Sequence, residues 1–538
     1  MTSQTTVEKA PRDPARPGDT DPAPAQGLRG HPWLTLFAVA IGVMMVALDG
    51  TIVAIANPVI ATDLKATFAE VQWITNGYFL ALAVALITAG KLGDRFGHRQ
   101  TFLIGVVGFA ASSAAIGLSD SIAMLVTFRV TQGLFGALLM PAALGLLRAT
   151  FPAEKLNMAI GIWGMVIGAS TAGGPILGGL LVEHVSWQSV FYINVPVGVV
   201  AVILGVVILR DHRAENAPRS FDIPGIALLS GAMFFLVWAL IKAPEWGWGS
   251  GTTWGFIALA LVCFALFAVW ENRVAEPLIP LKLFRSVPLA AGTVLMVLMA
   301  IAFMGGLFFV TFYLQHVHGM SPIDAGLHLL PLTGMMIVGS PLAGVLITKV
   351  GPRIPLAGGM ALTSLAMFGM STLTPGTSSP VMSIWFALLG LGLAPVMVGA
   401  TEVIVGNAPM ELSGVAGGLQ QAAMQIGGAL GTAVLGAVMA SKVDSDLQGN
   451  WTEAGLPPLS PEQLDASAEL VQVGLAPVQP GTSPEIAGKI SDVAHDTFMS
   501  GMSLASLVAA GVAAVAILVA LLTKRGENAQ AGAGAAHI

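Results

Sequence analysis

The chain of 538 residues is 55% hydrophobic, and only 10% of its residues are Asp, Glu, Lys or Arg. Soluble domains carry about 25% charged residues, so this chain lacks the polar side chains that would cover soluble domains, and a cytosolic globular protein is excluded. The net charge of −6 argues against a protein that binds nucleic acid, and the single cysteine, Cys263, excludes an intrachain disulfide and a cysteine metal site. The composition therefore predicts an all-α integral membrane protein whose surroundings are the lipid bilayer.

Apolar stretches follow a polar N-terminal segment. Residues 1–31 hold five prolines and few large apolar side chains, so we expect a disordered tail, and no signal-peptide pattern is present there. Beyond it the stretches have the length of about 20 residues that a helix needs to cross a bilayer. Fourteen spans are predicted, at 34–56, 73–89, 102–118, 122–147, 158–182, 191–209, 223–241, 253–270, 288–313, 325–347, 354–373, 380–406, 413–440 and 498–522.

The distribution of positive charge predicts the orientation. Cytoplasmic loops of membrane proteins are enriched in Lys and Arg. With the N-terminus inside, nineteen of the 24 Lys and Arg residues lie on the cytoplasmic side and four on the outer side. Both termini are therefore predicted to be cytoplasmic. The segment 441–497, with nine acidic and two basic residues, is expected to form a long acidic loop outside.

Two segments of the chain repeat one another. Residues Gly90, Leu92, Arg95, Gly97 and Arg99 match Gly344, Leu346, Lys349, Gly351 and Arg353 after a shift of 254 residues. The match predicts two related six-helix halves, at 32–210 and 288–522, with two extra helices in 211–287 and a C-terminal tail at 523–538. Repeated halves are typical of secondary transporters that move around a central site, although tight turns of glycine and basic residues also recur in other helical membrane proteins.

Several motifs carry a resemblance to a known family. They are Leu48-Asp49-Gly50-Thr51 in span 1, Gly90 to Arg99 after span 2, Arg129-Val-Thr-Gln132-Gly133 in span 4, Gly174-Pro175-Ile-Leu-Gly178-Gly179 in span 5, and Asn194-Val-Pro196-Val-Gly198 in span 6. Along nearly its whole length the chain resembles the 14-span drug–proton antiporters of the major facilitator superfamily. The second-half repeat departs from the first in having Thr348 where the first has Asp94.

This resemblance implies a bacterial plasma-membrane exporter of lipophilic drugs or antibiotics that is driven by protons and confers resistance, similar to self-protection pumps of antibiotic producers. The alternative is a major-facilitator importer of a small organic solute, which would not need the Gly174-Pro175 motif. A membrane enzyme is disfavoured because no metal-binding or Walker motif occurs in the sequence. We expect no cofactor, no metal and no obligate protein partner.

Three charged residues, Asp49, Arg129 and Glu402, lie within the predicted spans, and such residues are costly in a bilayer. We expect Asp49 or Glu402 to carry the exchanged proton, with Arg129 and Gln132 adjusting the affinity for it. The alternatives are an interhelical hydrogen bond for Asp49 and a position at the water interface for Glu402.

Two further motifs have both a functional and a structural interpretation. The segment with Gly90, Asp94, Arg95, Gly97 and Arg99 is expected to be a tight cytoplasmic loop that acts as a gate, although its basic residues could serve only to set orientation. In the antiporter motif, proline interrupts a helix and glycine permits close helix contact, which would seal one face against ion leak. An ordinary packing interface is the alternative. Its members are Gly174, Pro175, Gly178 and Gly179.

Overall fold

The computed structural model describes residues 28–66, 68–210, 222–274, 277–479 and 481–524, and within these ranges it contains helices and no β-strand. Most of the predicted tails at 1–31 and 523–538 therefore lies outside the described residues. The helices are α1 (Pro32–Asp63), α2 (Phe68–Phe96), α3 (His98–Gly117), α4 (Ile122–Thr150), α5 (Ala153–His184), α6 (Ser189–Tyr192), α7 (Asn194–Ile208), α8 (Ile223–Trp246), α9 (Gly251–Glu271), α10 (Val287–Phe312), α11 (Pro322–His328), α12 (Leu330–Val350), α13 (Arg353–Met370), α14 (Ser379–Gly406), α15 (Ser413–Glu453), α16 (Pro461–Val471) and α17 (Pro484–Ala520).

Every predicted span coincides with helical structure. Thirteen helical stretches in the described part of the chain are long and apolar enough to cross a membrane. The remaining predicted span, 354–373, coincides with the 18-residue α13, whose first residue is the charged Arg353. The predicted all-α membrane fold is confirmed.

The two halves repeat the same packing pattern. In the first half α1 packs on α5 and α7, α2 packs on α4, and α3 packs on α4 and α7. In the second half α10 packs on α15 and α17, α12 packs on α14, and α13 packs on α14 and α17. The shift of 254 residues also relates Pro141 inside α4 to Pro395 inside α14. The repeat seen in the sequence is thus a repeat of tertiary structure.

The halves meet along two equivalent helix pairs, α2 with α15 and α5 with α12. At the first contact, a side chain on Gly90 would overlap the backbone of Gly414, and one on Gly414 would overlap Gly90. At the second, a side chain on Gly344 would overlap the backbone of Asn157. Gly90 and Gly344 are repeat equivalents, so the same glycine allows close helix approach in both halves.

The inserted helices α8 and α9 pack on each other, and α8 also contacts α2 of the first half and α15 of the second. Asp222 is the N-cap that precedes α8, and its carboxylate accepts hydrogen bonds from Gly225 N and from Trp270 Nε1 of α9. The inserted pair therefore lies beside the boundary between the halves.

The prediction of a continuous loop at 441–497 is wrong. Helix α15 continues to Glu453, α16 occupies the middle of the segment, and α17 begins at Pro484. Ser460 and Gln463 form a reciprocal capping box at the start of α16, and the buried Trp451 donates a hydrogen bond to Pro457 O. Pro461 and Pro484 stand at the first positions of α16 and α17, where proline is tolerated. Pro457, Pro458 and Pro477 lie in the connections between the helices.

Candidate functional site

A buried ion pair joins α1 to α4. Arg129 Nη1 lies 2.5 Å from Asp49 Oδ2, and both residues are at most 1% exposed. A lone charge at this depth would be very costly, and pairing reduces that cost. The structure therefore brings together two of the three predicted intramembrane charges.

Four further contacts orient the Arg129 guanidinium. Its Nη1 also donates to Gln132 Oε1 at 2.7 Å, and its Nε donates to Ile74 O of α2 at 3.1 Å. Its Cζ atom lies 4.1 Å from the centroid of the Tyr78 ring and 5.8 Å from that of the Phe191 ring. Cation–π contacts of this kind stabilise a guanidinium that has left water.

The second oxygen of the Asp49 carboxylate accepts two amide hydrogens. Gln132 Nε2 lies 3.0 Å and Asn194 Nδ2 lies 2.9 Å from Asp49 Oδ1. The same two nitrogens lie 3.2 and 2.9 Å from Ser113 Oγ. These five residues, Asp49, Ser113, Arg129, Gln132 and Asn194, are all nearly inaccessible to solvent, and we refer to them as the Asp49 network.

Sequence reasoning did not identify Ser113, Asn194 or Tyr78 as site residues. Asn194 belongs to a motif that supported the family resemblance, and it is a polar residue within an apolar stretch. Such a residue needs a hydrogen-bond partner in a membrane, which was a usable signal. Ser113 and Tyr78 gave none, because hydroxyl groups are common in membrane helices.

Glu402 does not join the Asp49 network. It lies in α14 of the other half and is buried, and Arg129 makes no contact with it in the structure. The shift of 254 residues makes Glu402 the equivalent of Arg148 in α4. Arg148 donates hydrogen bonds to Ala408 O and Pro409 O of the second half.

The predicted gating segment forms a second polar site, at the contact between α2 and α15. Asp94 accepts hydrogen bonds from Gly414 N at 2.7 Å and from Val415 N at 2.9 Å, at the first residues of α15. A carboxylate is favoured there by the free N–H groups and by the positive end of the helix dipole. We call this contact the Asp94 latch. The buried His98 supports it, with Nε2 3.3 Å from Asp94 Oδ1 and 3.3 Å from Ser413 Oγ.

The prediction that residues 90–99 form a glycine-rich loop is wrong. Helix α2 continues to Phe96 and α3 begins at His98, so the connection is Gly97 alone, with φ of 100°. Gly97 is required because a side chain disfavours that conformation, whereas Gly90 and Gly93 are helical and small because Gly414 and the His98 ring approach them. The polar residues of the segment extend the helix, since their side chains find partners at its end.

The basic residues of this segment also have defined contacts. Lys91 Nζ donates to Pro277 O, which follows the inserted helices, at 2.8 Å. Arg99 donates to Val206 O at 3.1 Å, and the Arg95 guanidinium lies 5.2 Å from the Phe96 ring centroid. These basic residues therefore make specific contacts in addition to any effect of their positive charge on orientation.

The glycines of the antiporter motif hold α5 against α1, close to Asp49. A side chain on Gly174 would overlap Thr51, and one on Gly178 would come within 2.9 Å of Ile52. Gly179 faces Ile323 with more room, and Pro175 lies in α5 with a side chain outside the described part of the structure. Gly174 and Gly178 thus pack α5 on α1 within one half, two or three residues along α1 from the ion pair, whereas Gly179 faces α11 of the other half.

A sequence profile described as the Major Facilitator Superfamily matches residues 39–432. The chain belongs to the major facilitator superfamily. Two groups found above, the Asp49 network and the Asp94 latch, lie within the matched range.

Curated relatives within the superfamily are named for resistance and efflux. The chain is 65% identical over 505 residues, 94% of each protein, to the tetracenomycin C resistance and export protein of Streptomyces glaucescens. It is 35% identical to the multidrug resistance protein Stp of Mycobacterium tuberculosis, over 90% of each protein. It is 33% identical to the multidrug efflux pump LfrA of Mycolicibacterium smegmatis, over 92% of this chain and 96% of that one.

Solved major facilitator structures share the fold at low sequence identity. The human organic anion transporter MFSD10 superposes with a TM-score of 0.60 at 12% identity, covering 91% of this chain and 99% of that one. The proton:xylose symporter XylE gives a TM-score of 0.58 at 12% identity, covering 93% and 98%. These likenesses support the fold and carry no substrate information.

Proposed function

We propose that this protein exports lipophilic drugs or antibiotics across the bacterial plasma membrane in exchange for protons, and thereby confers resistance. The observation that carries the proposal is the buried Asp49–Arg129 ion pair, in a superfamily member whose relatives are named for drug resistance and efflux. Burial of a charge pair carries a desolvation cost, and ionisable residues within membrane spans typically mark ion or substrate pathways.

Asp49 is the proposed proton-binding group. A proton and the Arg129 guanidinium compete for the Asp49 carboxylate, because binding of the proton removes the charge that attracts Arg129. Without that attraction Arg129 separates from Asp49 and retains its hydrogen bonds to Gln132 and Ile74. Since these contacts join α1, α2 and α4, the protonation state changes how the helices pack. Glu402, the other carboxylate considered, has no contact with Arg129 and is the weaker candidate.

The proposed substrate class follows from the relative that is 65% identical. It is named as a tetracenomycin C resistance and export protein, and we propose an antibiotic related to tetracenomycin C as the substrate of this protein. The other efflux relatives share about a third of their residues with the chain and support drug export in general.

The proposed orientation places both termini and the Asp94 latch in the cytoplasm, in agreement with the Lys and Arg bias. In that orientation the contacts of α2 with α15 and of α5 with α12 close the cytoplasmic end between the halves. Opening to the cytoplasm requires the Asp94 carboxylate to leave Gly414 N and Val415 N.

The test is efflux of a fluorescent aromatic compound from a drug-sensitive bacterium, with and without a protonophore. Wild type is compared with Asp49→Asn, Arg129→Ala and Glu402→Gln at matched protein levels. We expect efflux that the protonophore abolishes, that Asp49→Asn and Arg129→Ala remove, and that Glu402→Gln retains. Efflux that continues in the protonophore contradicts proton coupling.

Inside-out membrane vesicles test the direction. An exporter accumulates the compound in them when their interior is acidified. An importer accumulates it in right-side-out vesicles, and that result would replace export with import.

A further inference from the structure

Asn194 begins α7 and contacts the proposed proton-binding group directly. Its Nδ2 lies 2.9 Å from Asp49 Oδ1 of α1 and 2.9 Å from Ser113 Oγ of α3. The residue is 1% exposed, so solvent supplies none of these hydrogen bonds. The side chain therefore ties three helices together at the carboxylate.

The hydrogen atoms in this cluster can be assigned. Ser113 Oγ has one hydrogen, and it is directed to Phe191 O at 2.9 Å. Ser113 Oγ must then accept from both amide nitrogens beside it, Gln132 Nε2 and Asn194 Nδ2. Each amide nitrogen gives its first hydrogen to Ser113 and its second to Asp49, and the ionised carboxylate is satisfied.

Protonation of Asp49 disturbs this arrangement, because a carboxylic acid needs an acceptor where the carboxylate needs a donor. Gln132 is a poor source of that acceptor, since its Oε1 is held by Arg129 at 2.7 Å. The planar Asn194 amide carries both a donor, Nδ2, and an acceptor, Oδ1. Rotation about its Cβ–Cγ bond exchanges the positions of these two atoms.

We propose that Asn194 is a positioning residue that serves both protonation states of Asp49, as an N–H donor to the carboxylate and, after the amide turns over, as a carbonyl acceptor for the acid. The inference rests on the proposed role of Asp49 in proton binding. The proton arrives from the outer side and remains on Asp49 until it is released to the cytoplasm. Ser113 then turns its hydrogen from Phe191 O to the Asn194 carbonyl, so that Phe191 of α6 loses this hydrogen bond.

The surroundings of Asp49 contain one charged group, Arg129 of α4, among the contacts that the structure describes. Helix α2 contributes the Tyr78 ring, and α3 and α7 contribute the neutral Ser113 and Asn194. Substitutions of Asn194 therefore alter the equilibrium between the ionised and the protonated form of Asp49 without removing its counter-ion, Arg129.

Two substitutions separate this role from simple packing. Asn194→Leu keeps the branching at Cγ and the number of side-chain heavy atoms, and it removes both the donor and the acceptor. Because a hydrogen bond to a charged group is stronger than one to a neutral group, the ionised form loses more, and the pH midpoint of efflux should rise by about one unit. Asn194→Asp adds a second carboxylate beside the first, so the midpoint should rise by more than about one unit.

The assay is efflux of the fluorescent compound from reconstituted liposomes, with the pH varied on the side that supplies protons. Asn450→Leu is the matched control, since Asn450 makes a similar amide–hydroxyl bond to Thr497 at 2.9 Å, away from the Asp49 network. A control of this kind lowers the amplitude of efflux through lost packing and leaves the midpoint where it is.

An unchanged midpoint in both Asn194 variants, at whatever amplitude, overturns the inference. If Asp49→Asn still removes coupling in the same liposomes, the proposed function stands and only the role of Asn194 fails. If Asp49→Asn remains proton-coupled, the proposed function itself fails and the inference with it.

Discussion

Replacement of Asp94 by asparagine tests the latch between the halves. The Asp94 carboxylate accepts two backbone hydrogens at 2.7 and 2.9 Å from Gly414 and Val415. Asparagine has one oxygen, and its amino group would face one of these N–H donors. Each bond to the carboxylate is worth about 1.5–3 kcal/mol, so losing one bond and the charge of the other costs about 3 kcal/mol. That cost corresponds to roughly a 100-fold shift in the equilibrium between closed and open.

The assay is a distance measurement between spin labels across the predicted cytoplasmic end. The single cysteine is removed by Cys263→Ser, and Val207→Cys and Leu522→Cys place one exposed label on each half, near the ends of α7 and α17. We expect one short distance between the labels in the protein with Asp94, and an additional population with a longer distance in the Asp94→Asn variant.

The matched control is Asp446→Asn at the far end of α15, where the carboxylate bonds Lys442 and Ser500. It should leave the distance between the labels unchanged. Identical distance distributions for Asp94→Asn and the wild type would refute the assignment of the latch to this carboxylate.

Three further predictions concern Gly174, Tyr78 and His318. Gly174→Ala forces α1 away from α5 and should lower the free energy of unfolding by about 1–3 kcal/mol in a detergent melt, whereas Gly179→Ala, with its nearest neighbour 3.6 Å away, should change it by less than about 0.5 kcal/mol; equal losses would contradict the packing argument. Tyr78→Phe removes a buried hydroxyl for which the described structure provides no hydrogen-bond partner and should leave efflux within about two-fold. Tyr78→Leu also removes the ring under Arg129 and should lower efflux roughly ten-fold, and equal efflux by both variants would argue against the cation–π contact. Burial lowers the pKa of His318 below its ordinary value of 6.5, so the unfolded chain takes up a proton more readily than the folded protein and stability should fall as the pH drops below about 6.5. His318→Gln should reduce that fall in a melt series from about pH 7.5 to 5, and an identical pH dependence would exclude His318 as its source.

The membrane-spanning helices could be predicted from sequence because bilayer thickness fixes their length and lipid fixes their composition. The repeat could be predicted because Gly90 and Gly344 each face the backbone of a neighbouring helix so closely that only glycine fits, and the same residue therefore stands at both positions. The pairing of Asp49 with Arg129 could be predicted because few charged residues lie in the spans.

Of the partners of that pair, Gln132 could be predicted, because it lies one turn from Arg129 on the same helix, whereas Ser113 and Asn194 could not. Ser113 and Asn194 belong to two other helices, and their approach to Asp49 and Gln132 depends on the rotation of each helix about its axis. Polar segments were also misjudged. Residues 90–96 and 441–453 continue helices beyond the apolar spans because their side chains find partners at helix ends, and hydropathy does not register those contacts.

The two contacts between the halves are alike in backbone geometry and unlike in chemistry. At the position equivalent to Asp94, Thr348 Oγ1 accepts a hydrogen bond from Asn157 Nδ2 at 3.2 Å, so a neutral pair takes the place of a carboxylate on a helix end. Duplication of the fold thus did not require duplication of the charge. Protonation or neutralisation of a carboxylate therefore weakens the contact between α2 and α15 and leaves the hydrogen bond between Asn157 and Thr348 at the other contact unchanged.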